Sequence, residues 1–304
     1  MRKQSYIIPM ILFGIIWAGS FAYAVQVLGV EMGAPLLVLG VYAVVAPLVC
    51  RLLLMGSSPI ESGEQSAPLD IIILLVLLAA AGAYVIYGPA YMDSVAASMS
   101  PDSAIAPHHA RALGKVFVFV ALPLMLYVLL LGHRMASFGW HSPFWRMFRP
   151  RHILVLLIVG GGLFALQFLS MREVLPFDAA LEDRQVVIGV LTVFAWILLE
   201  IGLAEEFFFR AVVQSRLAVF LRSEWFALVL VSILFGLSYV PGMMEEGGSF
   251  RDASAYAILL GGTMSLTYGY IWMRTRNLLI LVLFRAAVEI APNYDSFAAG
   301  LGIT

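Results

Sequence analysis

An all-α, polytopic bundle of about nine transmembrane helices (eight to nine) is the fold class this sequence predicts, and three observations predict it. Of 304 residues, 62% are hydrophobic and only 12% are charged, where a soluble domain carries about twice that charged share. Apolar runs such as "IIILLVLLAAAGAYVIYG" and "HILVLLIVGGGLFALQFL" approach the roughly 20 residues that cross a hydrocarbon layer. A backbone in lipid must satisfy its own hydrogen bonds, so such runs form helices and not strands.

Taken in order, the first span, about 6–28, is too long for the apolar part of a signal peptide. It also lacks a small-residue cleavage site, so it reads as an anchor. The second, about 33–55, holds Cys50, the one cysteine of the chain. A lone cysteine forms no internal disulfide and there is no CxxC pair, so Cys50 reads as a small apolar core residue. The third span, about 70–91, leads into a long small-residue-rich segment, 92–114, that contains His108 and His109 and reads as a loop. Two adjacent histidines fall short of the usual metal-ligand count, and no metal or cofactor is expected.

The fourth span, about 113–132, is followed by "HRMASFGWHSPFWRMFRPRH" (133–152). That basic and aromatic composition suits a segment lying on anionic headgroups. The fifth span is about 153–171. The sixth, about 186–205, continues through "LAEEFFFRAVV" to end near "RLAVFLRS", and the last three are about 224–241, 255–273 and 277–292.

With the N-terminus cytoplasmic, the inside segments carry eleven basic residues, Arg149, Arg216 and Arg276 among them, and the outside segments five, Lys115 and Arg251 among them. The positive-inside rule therefore orients nine spans with the N-terminus in and the C-terminus out, in a cell (inner) membrane. A net charge of −1 gives no signal for nucleic acid, and none is expected as a partner. The bilayer is the first partner, and no oligomeric signature is visible. Nor is there an internal repeat or a matched pair of interrupted helices, which would suggest a transporter.

Six charges remain at membrane depth: Glu200, Glu205, Glu206, Arg210, Arg285 and Glu289. Each costs roughly 2.5–3.5 kcal/mol at a helix centre on insertion scales, so each should face the bundle interior and find a partner. Glu206 and Arg210 are i and i+4, on one helix face, as are Arg285 and Glu289. Glu205 lies about 100° around from Glu206, has no local cation and must look to another helix, where Arg285 is the candidate. A buried ion network that holds helices in register and an acid–base site in a water-containing cavity both account for these charges.

The residues also resemble a family. "EEFFFR" fits the EExxxR signature of the CAAX-protease and bacteriocin-processing (CPBP, or Abi) family of glutamate-dependent intramembrane proteases, which includes the type II CAAX prenyl proteases. "SILFGLSYV" follows where that family has FxxxH, and "GYIWMRTRNLLILVLFRAAVE" is similar to its "RTGNL"-like turn and HxxxN helix. The resemblance covers about 197–293. It implies a core at 186–304 preceded by an N-terminal transmembrane region of about five spans at 1–185. It further implies Glu205 as the residue that activates water for peptide-bond hydrolysis, with Glu206 and Arg210 supporting it. The departures are that the family histidines are replaced by Tyr239 and Arg285, and the asparagine by Glu289.

Three functions follow. The first is an intramembrane endopeptidase with a remodelled site, Glu205 as base and Tyr239 and Arg285 as oxyanion donors. The second is a pseudoprotease that binds a membrane-anchored peptide or protein. The third is a proton-coupled transporter using the charge cluster as a relay.

Overall fold

The structure, a computed structural model, describes residues 6–55, 68–140, 148–170, 184–245 and 247–303. The described residues are helical and contain no strand. Helix α1 is Ile7–Val27, α2 Gly33–Leu53, α3 Pro68–Met99 and α4 Ala106–Leu130. Helix α5 spans 150–170 and α6 spans 184–220. Helix α7 is Glu224–Leu237, α8 Val240–Glu245, α9 spans 250–275 and α10 is Leu278–Gly300. Among the described residues, seven helices are long and apolar enough to cross a membrane, α7 and α8 counting together as one, Glu224–Glu245. Helices α9 and α10 occupy the other two expected spans. Helix α9 is rich in Ser, Thr, Gly and Tyr, and α10 carries Arg285, Glu289 and Asp295. Ile15, Leu75 and Leu129 are among many large apolar residues that face outward, which in this composition is the surface that lipid covers.

Two expectations need correcting. Residues 92–114 are not a loop. Helix α3 runs on to Met99, and after a short turn at 100–105 the chain re-enters helix at Ala106. Pro107 lies in the first turn of α4, where its fixed φ and missing N–H suit a helix start. Lys115 and Arg216 are likewise not loop cations: Lys115 lies on α4, and Arg216 is buried on α6 with its Nη1 3.9 Å from the Asp70 carboxylate. The middle of the predicted headgroup-binding segment, residues 141–147, lies outside the described residues, as do 171–183.

The chain divides into two compact units. The first comprises Met1–Val85 and Phe209–Arg276. There α1 and α2 pack on α9, which packs on α7. Phe13 and Trp17 of α1 form the core with Leu228 and Val229 of α7 and Leu259 and Leu266 of α9. Helices α7 and α9 approach so closely at Gly236 that a Cβ there would sit 2.6 Å from the Ala257 carbonyl oxygen. In lipid, where apolar burial gives helices no net reason to associate, such backbone contact supplies the packing. Buried Thr263, Ser265 and Thr267 add the small polar side chains typical of these interfaces.

Helix α9 ends at Arg276, which has φ +46°, a left-handed conformation costly for a residue with a Cβ. Three contacts hold it there. Its Nη1 donates to Ser215 Oγ at 2.9 Å, its Nη2 donates to Glu224, and its guanidinium lies 5.5 Å from the Trp272 ring centroid. A glycine would adopt this φ freely, so the arginine is kept by its side-chain contacts.

The second unit comprises Ile86–Phe208 and Asn277–Thr304. Helix α10 packs on α6 and α5, and α4 packs on α6. Val193, Ile197 and Ile201 of α6 meet Ala286, Ile290 and Tyr294 of α10. Asn277 starts α10 by accepting from the Ile280 N–H at 3.2 Å and donating to His152 Nδ1 at 3.1 Å.

Substituting Gly236→Val is expected to cost about 1–3 kcal/mol of stability through overpacking, read as a lower unfolding midpoint in detergent. Arg276→Ala should destabilise more than Arg276→Gly, by about 1 kcal/mol, because only glycine relieves the left-handed backbone.

Candidate functional site

The second unit brings together four of the six predicted site residues: Glu205, Glu206, Arg285 and Glu289. Glu205 and Glu206 leave α6 just after a π-helical stretch, Leu198–Leu203. Gly202 lies in that stretch, and a Cβ there would stand 2.9 Å from the Val282 carbonyl oxygen of α10. The glycine thus lets α6 and α10 approach at the level where Glu205 meets Arg285.

Glu205 is clamped between two cations. Lys115 Nζ of α4 donates to Glu205 Oε1 at 2.8 Å, and Arg285 Nη2 donates to Glu205 Oε2 at 3.1 Å. The same guanidinium reaches Glu206, with Nε 3.7 Å from its Oε1, and Glu289, with Nη1 2.5 Å from its Oε1. Asn293 Nδ2 then donates to Glu289 Oε2 at 2.9 Å. Glu205, Glu206, Arg285 and Glu289 are all buried. The next two residues of α6 are packed aromatics, Phe207 against Phe138 and Phe208 against Phe119, centroids 5.7 and 4.8 Å apart.

The other two predicted residues, Arg210 and Tyr239, belong to the first unit. Arg210 is fully buried, donates to Ser265 Oγ at 2.8 Å and stacks 5.1 Å from the Phe235 ring centroid. Tyr239 is half-buried and packs edge-on against the same Phe235, centroids 5.4 Å apart. Phe235 therefore joins the second predicted motif segment to Arg210 of the first. Glu206 and Arg210, expected to brace one another, fall in different units.

Residues 187–291 match the family model of type II CAAX prenyl endopeptidase, Rce1-like. This segment belongs to the CAAX-protease family. No curated protein and no solved structure matches the chain. The CAAX-protease segment contains all six predicted residues. It excludes Lys115 and Asn293, the two neighbours that sequence reasoning missed. Lys115 had a signal, as the single cation at the start of the apolar run "GKVFVFVALPLMLYVLLLG". Asn293 had one in its spacing, i+4 from Glu289 on α10 and so on the same face.

Chemically, the arrangement orients a carboxylate rather than exposing it. Each oxygen of Glu205 already accepts from a cation, and Arg285 is fixed from its far side by Glu289. Among the described residues no three His, Cys, Asp or Glu side chains come together to hold a metal ion.

Removing one member of a buried ion pair strands its partner, at a cost of about 3–5 kcal/mol. Lys115→Met and Arg285→Met should therefore each lower the thermal unfolding midpoint in detergent. Lys115→Met combined with Glu205→Gln should recover part of that loss. The non-additivity, read from a double-mutant cycle, measures the Lys115–Glu205 coupling.

Proposed function

We propose that this integral membrane protein of the CAAX-protease type holds a membrane-anchored peptide or protein at the Glu205 site without hydrolysing it. The observation that carries this reading is the clamp on Glu205. A general base must offer a free lone pair to the proton it removes, within hydrogen-bond reach. Each Glu205 oxygen accepts from a cation, so taking up a proton would leave Lys115 and the buried Arg285 without their counter-charge. The substitutions support the same conclusion. Tyr239 and Arg285 stand where the family's histidines stand and Glu289 where its asparagine stands, and losing a single preorganised donor typically lowers rate about a hundredfold to a thousandfold.

A second reading, a working endopeptidase, has the family match of residues 187–291 in its favour. In it Glu205 is the base, Tyr239 and Arg285 donate to the oxyanion, and Glu206 and Arg210 support them.

The experiment incubates the full-length protein in nanodiscs with a library of membrane-anchored and prenylated peptides. Mass spectrometry then reads both retained peptides and cleavage products, for wild type and Glu205→Gln. Retention without products from either protein is expected. Products from wild type that vanish in Glu205→Gln would establish the endopeptidase instead.

We also infer a cytoplasmic N-terminus and an external C-terminus in the cell (inner) membrane, with residues 1–185 as an N-terminal membrane region and 186–304 as the core. The support for the orientation is the basic bias. Removing the buried Arg216 and Arg276 from the eleven inside cations leaves nine, and removing the paired Lys115 from the five outside leaves four. In a Cys50→Ala background, Arg251→Cys should react with an impermeant thiol reagent added to intact cells, and Arg149→Cys should react only after lysis.

A further inference from the structure

The second unit holds another pair of titratable groups, both half-buried, that the Glu205 site does not employ. His108 of α4 and Glu200 of α6 each carry a buried polar atom, Nε2 and Oε2, with no hydrogen-bond partner among the described residues. The two residues stand on helices that pack together. The His108 ring meets Trp196 edge-on at 5.9 Å between centroids, and Trp196 lies one turn before Glu200 on α6. On its other side His108 meets Phe297 of α10 at 5.1 Å, one turn beyond Asn293. Glu200 is the carboxylate whose charge acts on His108, beside His109 and Arg111.

Glu200 also acts on Lys115, as Glu205 does. Lys115 follows His108 by seven residues, two helical turns, so both face the same way from α4. On a regular α-helix, Glu200 and Glu205 would stand about 140° apart. The wider π turn at Leu198–Leu203 brings them nearer one face. Helices α4 and α6 therefore present two polar tiers, Lys115 with Glu205 and His108 with Glu200.

The chemistry of the free atoms limits what can fill the second tier. An ionised carboxylate oxygen only accepts, whereas an imidazole nitrogen donates or accepts according to tautomer. A group with an N–H beside a C=O satisfies both at once, and the peptide bond is such a group.

We propose that His108 and Glu200 form a binding site for one main-chain amide of an extended, membrane-anchored peptide, with Glu200 accepting its N–H and His108 Nε2 donating to its C=O. This rests on the peptide-holding reading above. It gives α4, which lies outside the family-matched segment, a direct part in recognition.

The test starts from a peptide retained by the full-length protein in nanodiscs, resynthesised with each backbone nitrogen methylated in turn. Affinities are measured for wild type, Glu200→Leu, His108→Leu and His108→Gln, each first checked for folding by its elution volume and unfolding midpoint. Should Glu200→Leu fail to fold, Glu200→Met, which also lacks an oxygen acceptor, replaces it. Methylation at one position should weaken wild type about tenfold or more, the loss of a hydrogen bond to a charged group, and leave the Glu200 variant unaffected. His108→Leu should weaken binding about tenfold, and His108→Gln, which keeps a donor, should restore part of it. Identical methylation profiles in wild type and the Glu200 variant would overturn the proposal while leaving peptide holding intact. A wild-type protein that retains no peptide would overturn the holding reading, and this proposal with it.

Discussion

A carboxylate at membrane depth must be answered by a cation on a neighbouring helix, and the second unit is organised around that constraint at Glu205. Hydrocarbon offers no water to solvate the charge, so the helices that supply partners have their rotation and height fixed by it. Lys115 sets α4 against α6, and Arg285 sets α10 against α6. Glu289 and Asn293 extend the chain of contacts along α10. The ion network adds little net stability relative to an apolar core of equal volume. What it supplies is a unique register, because a rotated helix would strand a buried charge.

Backbone geometry makes that network reachable. Gly202 removes the side chain that would keep α6 from α10, and the π stretch beside it widens the helix just before Glu205. The first unit uses the same device at Gly236, where α7 meets α9. In both units close backbone approach replaces the hydrophobic effect as the reason for helices to associate. Polar side chains are then affordable in the interior, and Arg210 shows how. Its guanidinium is fully buried, yet one nitrogen has Ser265 and its face has Phe235.

Much of this was legible in the sequence, and the parts that were not share a cause. The all-helical membrane fold follows from apolar length, which is a local property of the chain. The Glu205–Arg285 pair followed from elimination, since Glu205 had no cation within one turn. The Arg285–Glu289 pair followed from i, i+4 spacing. Lys115 was missed because its place depends on α4 starting at Ala106, and a proline in "SPDSAIAPHHA" reads as readily as a loop as it does as a helix start. The place of His108 on α4, packed against Trp196, was lost with it. A helix boundary moved by about two turns thus changed which residues face the bundle, which is why boundaries weigh more than element type in locating a site.

The clamp and the substitutions at the family positions bear on one another. A neutral histidine can share a proton with a glutamate and a water, whereas an arginine is always charged and only donates. Placing Arg285 beside Glu205 turns a proton-sharing contact into an ion pair, and Glu289 one turn on then answers the arginine's remaining donors. Lys115 completes the change from outside the family-matched segment, by filling the oxygen that Arg285 leaves. With a cation on each oxygen, restoring a histidine at position 285 alone would remove only one of the two ion pairs. A return to hydrolytic chemistry therefore has to pass through α4 as well as through the family motifs.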